Sequence, residues 1–318
     1  MRNAFADEIT ALAAADPRIV LLSGDIGNRL FDTFKARFPD RFYNVGVAEA
    51  DMISIAAGLA LGGLRPVTYT IASFSVYRCY EQIRVDLCYH HLPVVIVGAG
   101  SGLGYAANGA THHSCEDLAV LRALPNMTVA CPADAFEVRA LLRDALQQTG
   151  PVYLRIGKKG EPTVHATVPR LTLGQGFVVR PGSDLTILCA GTLLPEALAA
   201  AERLSADGVS AEVVSFHTVK PLDEPLLARV FRDVRLVVTI EEHGLIGGLG
   251  GAVAEWRADH PDAQSRLLRL GTADTFLHEA GGQEHARQRF GLTAEQMADA
   301  ISTAWRRLET QTDRSITP

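Results

Sequence analysis

The chain has 318 residues, a formal net charge of −6 at pH 7, 47% hydrophobic residues and 21% charged residues. This length accommodates two domains, and the composition is that of a globular protein with a full core. The acidic balance argues against a nucleic-acid-binding surface, and no uncharged apolar run reaches the length of a membrane span.

Short apolar runs alternate with helical stretches through the first half of the chain, a pattern typical of parallel α/β sheets. The predicted strands cover residues 19–24, 42–47, 66–71, 93–98, 127–130 and 151–156. The predicted helices between them cover residues 49–62, 76–90, 115–123 and 134–148. The periodicity fails after the last of these strands, where the sequence becomes polar and contains proline, so we expect a linker there.

A second α/β unit follows the linker. Its predicted strands cover residues 184–190, 211–216, 235–240 and 266–270, and its predicted helices cover residues 193–207, 223–231, 248–259 and 293–309. The predicted fold class is therefore α/β, with two doubly wound, mainly parallel-sheet domains. We place these domains at residues 1–160 and 177–310, joined by a linker at 161–176 and followed by a frayed tail at 311–318.

The cysteines indicate the cellular compartment. Five of them, at positions 79, 88, 115, 131 and 189, form no C-x-x-C pair. Scattered thiols are typical of a reducing environment, and the first residues lack the apolar segment of a secretion signal, so we expect a cytoplasmic protein. Cys115 lies two residues from His113, and we interpret it as a small buried hydrophobic side chain rather than a catalytic thiol.

The most informative single residue is Glu49, which follows an apolar strand and begins a helix of small residues. A carboxyl group at such a junction can be sheltered from water and can share a proton with a ring nitrogen. The alternative is an ordinary acid in the first turn of a helix, where the helix dipole favours a negative charge.

Further motifs follow Glu49 in a fixed order. They are an aromatic strand end with Phe74 and Tyr77, a Glu-Gln-Ile-Arg helix, a Leu-Pro-Val strand, an Ala-Thr-His loop that contains His112, and a Pro-Ala-Asp turn. This succession resembles the transketolase family, and the resemblance continues to the end of the chain. It implies the pyrimidine-binding domain of that family, followed by its C-terminal domain.

A full transketolase carries one more domain in front, with a Gly-Asp-Gly motif that holds the metal and the diphosphate. The nearest stretch here, residues 23–27, has Ile26 where glycine is required, and it precedes the glutamate motif. The chain therefore resembles the C-terminal half of a split transketolase. The resemblance implies thiamine diphosphate and Mg²⁺ as cofactors, with the diphosphate and the metal held by an N-terminal-half partner subunit, in an α2β2 assembly.

The resemblance also implies roles for individual residues at the cofactor. Glu49 would activate the aminopyrimidine ring, Phe74 and Tyr77 would stack on that ring, and Asp25 is a further candidate for cofactor contact. His112 would transfer protons to or from the substrate hydroxyls, which suits a group that titrates near neutral pH. No residue of this chain is predicted to ligate a metal.

Arginines are predicted to bind the substrate. Arg2 and Arg155 match phosphate-binding positions of sugar-phosphate transketolases, and Arg29 is a third candidate, because a guanidinium group pairs with phosphate in a bidentate manner. Two positions depart from the family pattern, since Asn108 replaces an aspartate and Gly100 replaces a phosphate-binding histidine. We therefore predict a sugar or sugar-phosphate substrate outside the pentose phosphate set.

Two alternatives remain open from the sequence. A beta subunit of a 2-oxo-acid dehydrogenase shares both domains, and a non-catalytic regulatory half would retain the fold without the activity. The Ala-Thr-His loop and the Glu-Gln-Ile-Arg helix favour a transketolase. Glu242 and His243, next to a glycine-rich segment in the second unit, are interpreted as structural residues.

Overall fold

Buried apolar strands build a sheet from the first half of the chain. A computed structural model describes residues 1–27 and 29–314, with the side chains of residue 28 and of residues beyond 310 outside the description. Its first strands are β1 (Ile19–Ser23), β2 (Phe42–Asn44), β3 (Arg65–Ile71), β4 (Val95–Ala99), β5 (Thr128–Ala130) and β6 (Val152–Ile156). The strands β1, β4 and β6 are buried along their whole length, as expected of a sheet that helices cover on both faces.

The helices of this part are α1 (Arg2–Ala15), α2 (Asp32–Arg37), α3 (Glu49–Leu61), α4 (Ala72–Val76), α5 (Tyr80–Gln82), α6 (Asp117–Arg122) and α7 (Ala135–Ala145). The predicted helices at 49–62, 115–123 and 134–148 correspond to α3, α6 and α7, whereas the sequence did not predict α2 and α4. The stretch predicted as a single helix over 76–90 is helical through Tyr89, but it is not one regular α-helix. A 3-10 turn at Tyr77–Cys79, α5 and a π-helical segment at Ile83–Tyr89 share that stretch, and π-helical turns recur at functional sites.

The second half of the chain forms a smaller sheet. The strands of this half are β7 (Phe177–Arg180), β8 (Leu185–Ala190), β9 (Ala211–Ser215), β10 (Thr218–Lys220), β11 (Leu236–Gly244) and β12 (Arg266–Thr272), and all of them except β10 belong to the smaller sheet. Its helices are α8 (Leu194–Ala206), α9 (Glu224–Asp233), α10 (Leu249–Asp259), α11 (Gln283–Arg289) and α12 (Ala294–Arg314). The backbone of α12 extends into the predicted tail, whose residues 315–318 lie outside the described part of the chain.

Strand order confirms the predicted class of two mainly parallel sheets. Within residues 1–27 and 29–314, one sheet has the order β10-β5-β6-β4-β3-β1-β2 and the other has the order β12-β11-β8-β9-β7. The sequence did not predict β7 or β10, which are short and pair antiparallel with their neighbours. Because β10 comes from the second half of the chain but pairs with β5, the larger sheet extends across the predicted domain boundary.

An apolar core joins the two domains. Val129 and Tyr153 of the first domain share one buried cluster with Phe216, Leu249 and Trp256 of the second. This shared core gives the two domains a common interface that places the ends of β4 and β6 next to β11. No helix in the described residues is long and apolar enough to cross a membrane.

Candidate active site

Glu49 is the first residue of α3, as predicted, and its carboxyl group is almost completely buried, with 2% of the side chain exposed. Arg78 donates from Nη1 to Oε2 of Glu49 at 3.1 Å. The guanidinium group of Arg78 is itself half exposed, so the pair connects a buried acid to the surface. A buried carboxylate is stable only with such a partner, because removing its charge from water is costly.

The predicted aromatic pair borders this acid. The guanidinium carbon of Arg78 lies 4.3 Å from the ring centroid of Phe74, which places a cation on the ring face. Tyr77 donates its hydroxyl to Oε2 of Glu116 at 2.7 Å, and burial raises the pKa of that hydroxyl well above its usual value. Since 40% of Tyr77 is exposed, part of its surface remains available to a flat ring.

His112 also lies next to Phe74. The two ring centroids are 5.0 Å apart at an interplanar angle of 63°, and the ring of Tyr105 lies 5.9 Å from the same imidazole. Thr111 contacts Nδ1 of His112 through its hydroxyl at 2.9 Å. Partial burial, and after it the proximity of His113 and Lys158, lowers the pKa of His112, which favours the neutral ring that can accept a proton.

Tyr105 occupies the space that a side chain at position 100 would need. Gly100 has a φ of +77°, and a Cβ atom there would lie 2.0 Å from a ring carbon of Tyr105. The ammonium group of Lys158 stands over the same ring, 4.3 Å from its centroid. The ring of Tyr105, with the ammonium group of Lys158 over its face, therefore fills the space at position 100 where the family pattern has a histidine.

Lys158 also lines a cavity of about 550 Å³ together with Arg2, Arg29 and Lys159. The lining residues, all within the described part of the chain, include these four basic side chains and no acidic one. Arg2 is held in place by its Nε, which donates to the hydroxyl of Tyr69 at 2.9 Å. Such a concentration of positive charge favours an anionic ligand.

Two sequence-predicted residues lie at the edges of this arrangement. Asp25 is exposed, has a φ of +55° and accepts a hydrogen bond from the side-chain amide of Asn44 at 3.0 Å, so it is tied to the segment that leads into α3. Asn108 is exposed at the end of a 3-10 turn that precedes His112 by four residues. Their contacts with cofactor and substrate stay predictions.

Arg155 does not lie in the basic cavity. Its side chain is 3% exposed and its Nε donates to Asp117 at 2.8 Å, while Nη2 donates to the carbonyl oxygens of Ser114 and Glu242. A guanidinium group that is buried and bonded in this way is not free to bind a phosphate. We therefore replace the predicted substrate contact of Arg155 with a structural role at the domain interface.

Sequence reasoning did not assign Arg78, Tyr105, Lys158 or Lys159 to the site. Arg78 lies on the predicted helix after Phe74, in the 3-10 turn Tyr77–Cys79, and its contact with Glu49 joins residues 29 positions apart. The Lys-Lys pair directly after β6 offered a signal, because ligands gather at the carboxyl ends of parallel strands. The sequence pattern instead assigns this pair to the irregular polar stretch after the last strand of the first domain.

These residues fit the organic part of thiamine diphosphate. A buried carboxylate at the start of α3 and two partly exposed aromatic side chains are suited to an aminopyrimidine ring. Within residues 1–27 and 29–314, no group of three or more histidine, cysteine, aspartate or glutamate side chains could hold a metal ion.

Comparisons with known proteins match both halves of the chain. The transketolase pyrimidine-binding domain matches residues 1–161, and the transketolase C-terminal domain matches residues 174–297. A 6-deoxy-6-sulfo-D-fructose transketolase subunit from Clostridium sp. (strain MSTE9) is 38% identical over 94% of this chain and 92% of its own length. An apulose-4-phosphate transketolase subunit from Actinobacillus succinogenes is 36% identical over 84% of this chain and 85% of its own length.

A solved structure has the same fold throughout. It is described as a split gene transketolase, inactive beta4 tetramer, and it superimposes with a TM-score of 0.88 at 37% identity, covering 96% of this chain and 98% of that one. The chain therefore belongs to the transketolase family, and it carries the two domains that form the C-terminal half of a transketolase. This confirms the predicted family and the predicted class of thiamine-diphosphate-dependent transferase.

Proposed function

We propose that the chain works as the C-terminal-half subunit of a split transketolase that transfers a two-carbon ketol unit from a ketose bearing an anionic group. The observation that carries this proposal is one continuous row of contacts. It leads from Glu49 through Arg78 to Phe74, on to His112 and Tyr105, and ends at Lys158 in the basic cavity. A carboxylate for the cofactor, a base for the substrate and a cationic pocket thus follow each other along one path.

Each part of this row has a chemical task. Thiamine diphosphate, when bound, would supply the nucleophilic carbon for the transfer. Glu49 would share a proton with the ring nitrogen of the aminopyrimidine, and Phe74 and Tyr77 would hold that ring. His112, whose lowered pKa favours the neutral ring, accepts the proton of the donor's hydroxyl as the carbon–carbon bond breaks and returns a proton when the new bond forms.

The basic cavity determines which donor is bound. Arg2, Arg29, Lys158 and Lys159 together neutralise one anionic group, while Asn108 reads a hydroxyl nearer to His112. Relatives support an anionic donor of varied chemistry, since one is named for a sulfonated fructose and another for apulose 4-phosphate. The ammonium group of Lys158 can pair with either a phosphate or a sulfonate, because it binds as a point charge.

A partner subunit completes the site. Apolar side chains just before α3 and at the end of the π-helical segment Ile83–Tyr89 are in contact with solvent, notably Val47 at 72% exposed and Tyr89 at 81%. Ile55 and Leu61 on α3 are also exposed. An N-terminal-half subunit in an α2β2 assembly would cover this surface and supply the groups that hold Mg²⁺ and the diphosphate.

The test is reconstitution with the N-terminal-half subunit, identified by co-purification and mass spectrometry. The complex should transfer a ketol unit from ketose donors and show no release of CO₂ from 2-oxo acids. Decarboxylation of a 2-oxo acid with transfer of the acyl group to a lipoyl acceptor would instead identify a dehydrogenase subunit. A complex that binds cofactor but catalyses neither reaction would identify a regulatory half.

A further inference from the structure

The loop that carries His112 is tied to the C-terminal domain by one buried carboxylate. Glu242, on β11, is 1% exposed, and its Oε1 accepts a hydrogen bond from the backbone amide of Leu103 at 2.7 Å. Arg287 and Gln283 of α11 bind the same carboxylate from the other side. Arg287 also donates to the hydroxyl of Thr192 at 3.1 Å, so the clamp is anchored at two places in the C-terminal domain.

Backbone hydrogen bonds connect Leu103, which Glu242 holds, to His112. The amide of Ala106 donates to the carbonyl of Leu103 at 2.8 Å, that of Gly109 donates to Ala106 at 3.1 Å, and that of His112 donates to Gly109 at 3.0 Å. These successive hydrogen-bonded turns cover the whole segment from Leu103 to His112. Holding the amide of Leu103 therefore limits where the imidazole ring can lie.

Two further contacts show that the loop is built against this clamp. Gly102 approaches Glu242 so closely that a Cβ atom would lie 2.5 Å from the carbonyl oxygen of Glu242. The side chains of Leu103 and Ala106 are buried in a small cluster with Ala286, on α11. The interface thus combines charge, backbone hydrogen bonding and apolar packing at one point of the loop.

We propose that Glu242 and Arg287 are positioning residues, through which the C-terminal domain fixes the His112 loop for catalysis. The inference rests on the proposed function for the role of His112, but the clamp itself rests on the contacts alone. It gives the C-terminal domain a task in the reaction, although none of its residues lines the row of contacts from Glu49 to Lys158.

The experiment compares Glu242→Ala, Arg287→Ala and Arg287→Lys in the reconstituted complex. Glu212→Gln is the matched control, because Glu212 is a buried carboxylate of the same domain that binds Arg229 and Thr186 and not the loop. Hydrogen–deuterium exchange of peptides from residues 100–114 reports the order of the loop. Steady-state kinetics with an anionic ketose separate kcat from KM.

In Glu242→Ala and Arg287→Ala, exchange over residues 103–112 should rise about tenfold, as expected for one lost hydrogen bond to a charged group. The value of kcat should fall by up to about 10²-fold, because small misplacement of a catalytic group is costly, while KM changes less. Arg287→Lys should recover part of kcat, and Glu212→Gln should alter neither quantity.

Unchanged exchange in Glu242→Ala would overturn the clamp, and raised exchange with unchanged kcat would overturn the positioning role. If Glu242→Ala does not assemble, the two Arg287 variants decide the question, because they leave the carboxylate in place. Failure of the proposed function would look different, since the wild-type complex itself would then show no ketol transfer while the exchange measurement remained interpretable.

Discussion

Replacing Lys158 with glutamine tests whether the basic cavity binds the anionic group of the donor. The substitution removes the ammonium group that stands over Tyr105 and leaves Arg2, Arg29 and Lys159 in the cavity. We expect KM for an anionic ketose to rise and KM for an uncharged ketose such as erythrulose to stay unchanged. The value of kcat should change little, because Lys158 acts on binding and not on the reacting carbon.

The size of the effect follows from the geometry. Two unit charges about 4 Å apart attract by about 4 kcal/mol at an effective dielectric constant near 20. Desolvation and the three remaining cations reduce this value, and a lost hydrogen bond to a charged group costs about 1.5–3 kcal/mol. Because Lys158 is partly exposed, the lower end applies, which corresponds to a rise in KM of about tenfold.

The assay uses the reconstituted complex at two ionic strengths. Arg37→Gln is the control, since Arg37 also stands over an aromatic ring, that of Phe38, but lies outside the cavity. Salt should raise KM for the anionic donor in the wild type more than in Lys158→Gln. An equal rise in KM for charged and uncharged donors in Lys158→Gln would refute the reasoning.

Three other perturbations are expected to give defined results. Glu49→Gln should lower kcat by about 10²–10⁴-fold without loss of assembly, and proton exchange at C2 of the bound cofactor is the direct measurement; unchanged exchange would leave Glu49 as a helix-terminal charge. The chain alone should bind thiamine diphosphate and Mg²⁺ weakly or not at all by calorimetry, and micromolar binding without a partner would contradict the shared site. Burial raises the pKa of Glu241 to about 7 and lowers the pKa of His243 to about 4, so the two contribute opposite pH dependences. In His243→Gln, where Glu241 remains, the free energy of unfolding should fall by about 3 kcal/mol as pH rises from 4.5 to 7. In Glu241→Gln, where His243 remains, the free energy of unfolding should fall by about 3 kcal/mol as pH falls from 6.5 to 4. Denaturant unfolding across this range checks the signs, and slopes of the same sign in both variants would exclude this account.

The sequence by itself determined the fold class, and it supplied the residues that we propose as the centre of the site. Strand and helix periodicity is a local property, so the alternation of elements could be predicted from apolar runs and turn residues. Glu49, Phe74, Tyr77 and His112 stand in contiguous motifs at the ends of these elements. For parallel strands, that position alone places side chains at one edge of the sheet.

The tertiary structure decided how these residues are connected. The contact of Arg78 with Glu49 joins residues 29 positions apart, and the ring of Tyr105 fills the space that a side chain at Gly100 would need. Periodicity does not report such contacts, because they join residues from different elements. The short antiparallel strand β10 escaped prediction for the same reason, since pairing with β5 and not local preference makes it a strand.

Arg155 shows most clearly where sequence reasoning ends. Its place at the end of a parallel strand indicated a ligand, and by sequence it could not be told from Arg2. Only the fold shows that Asp117 and two carbonyl oxygens already occupy its guanidinium group, while Lys158, three residues later, extends into the open cavity. The sequence shows which positions carry a positive charge. Burial and contacts with distant segments decide whether that charge is free to bind an anionic ligand.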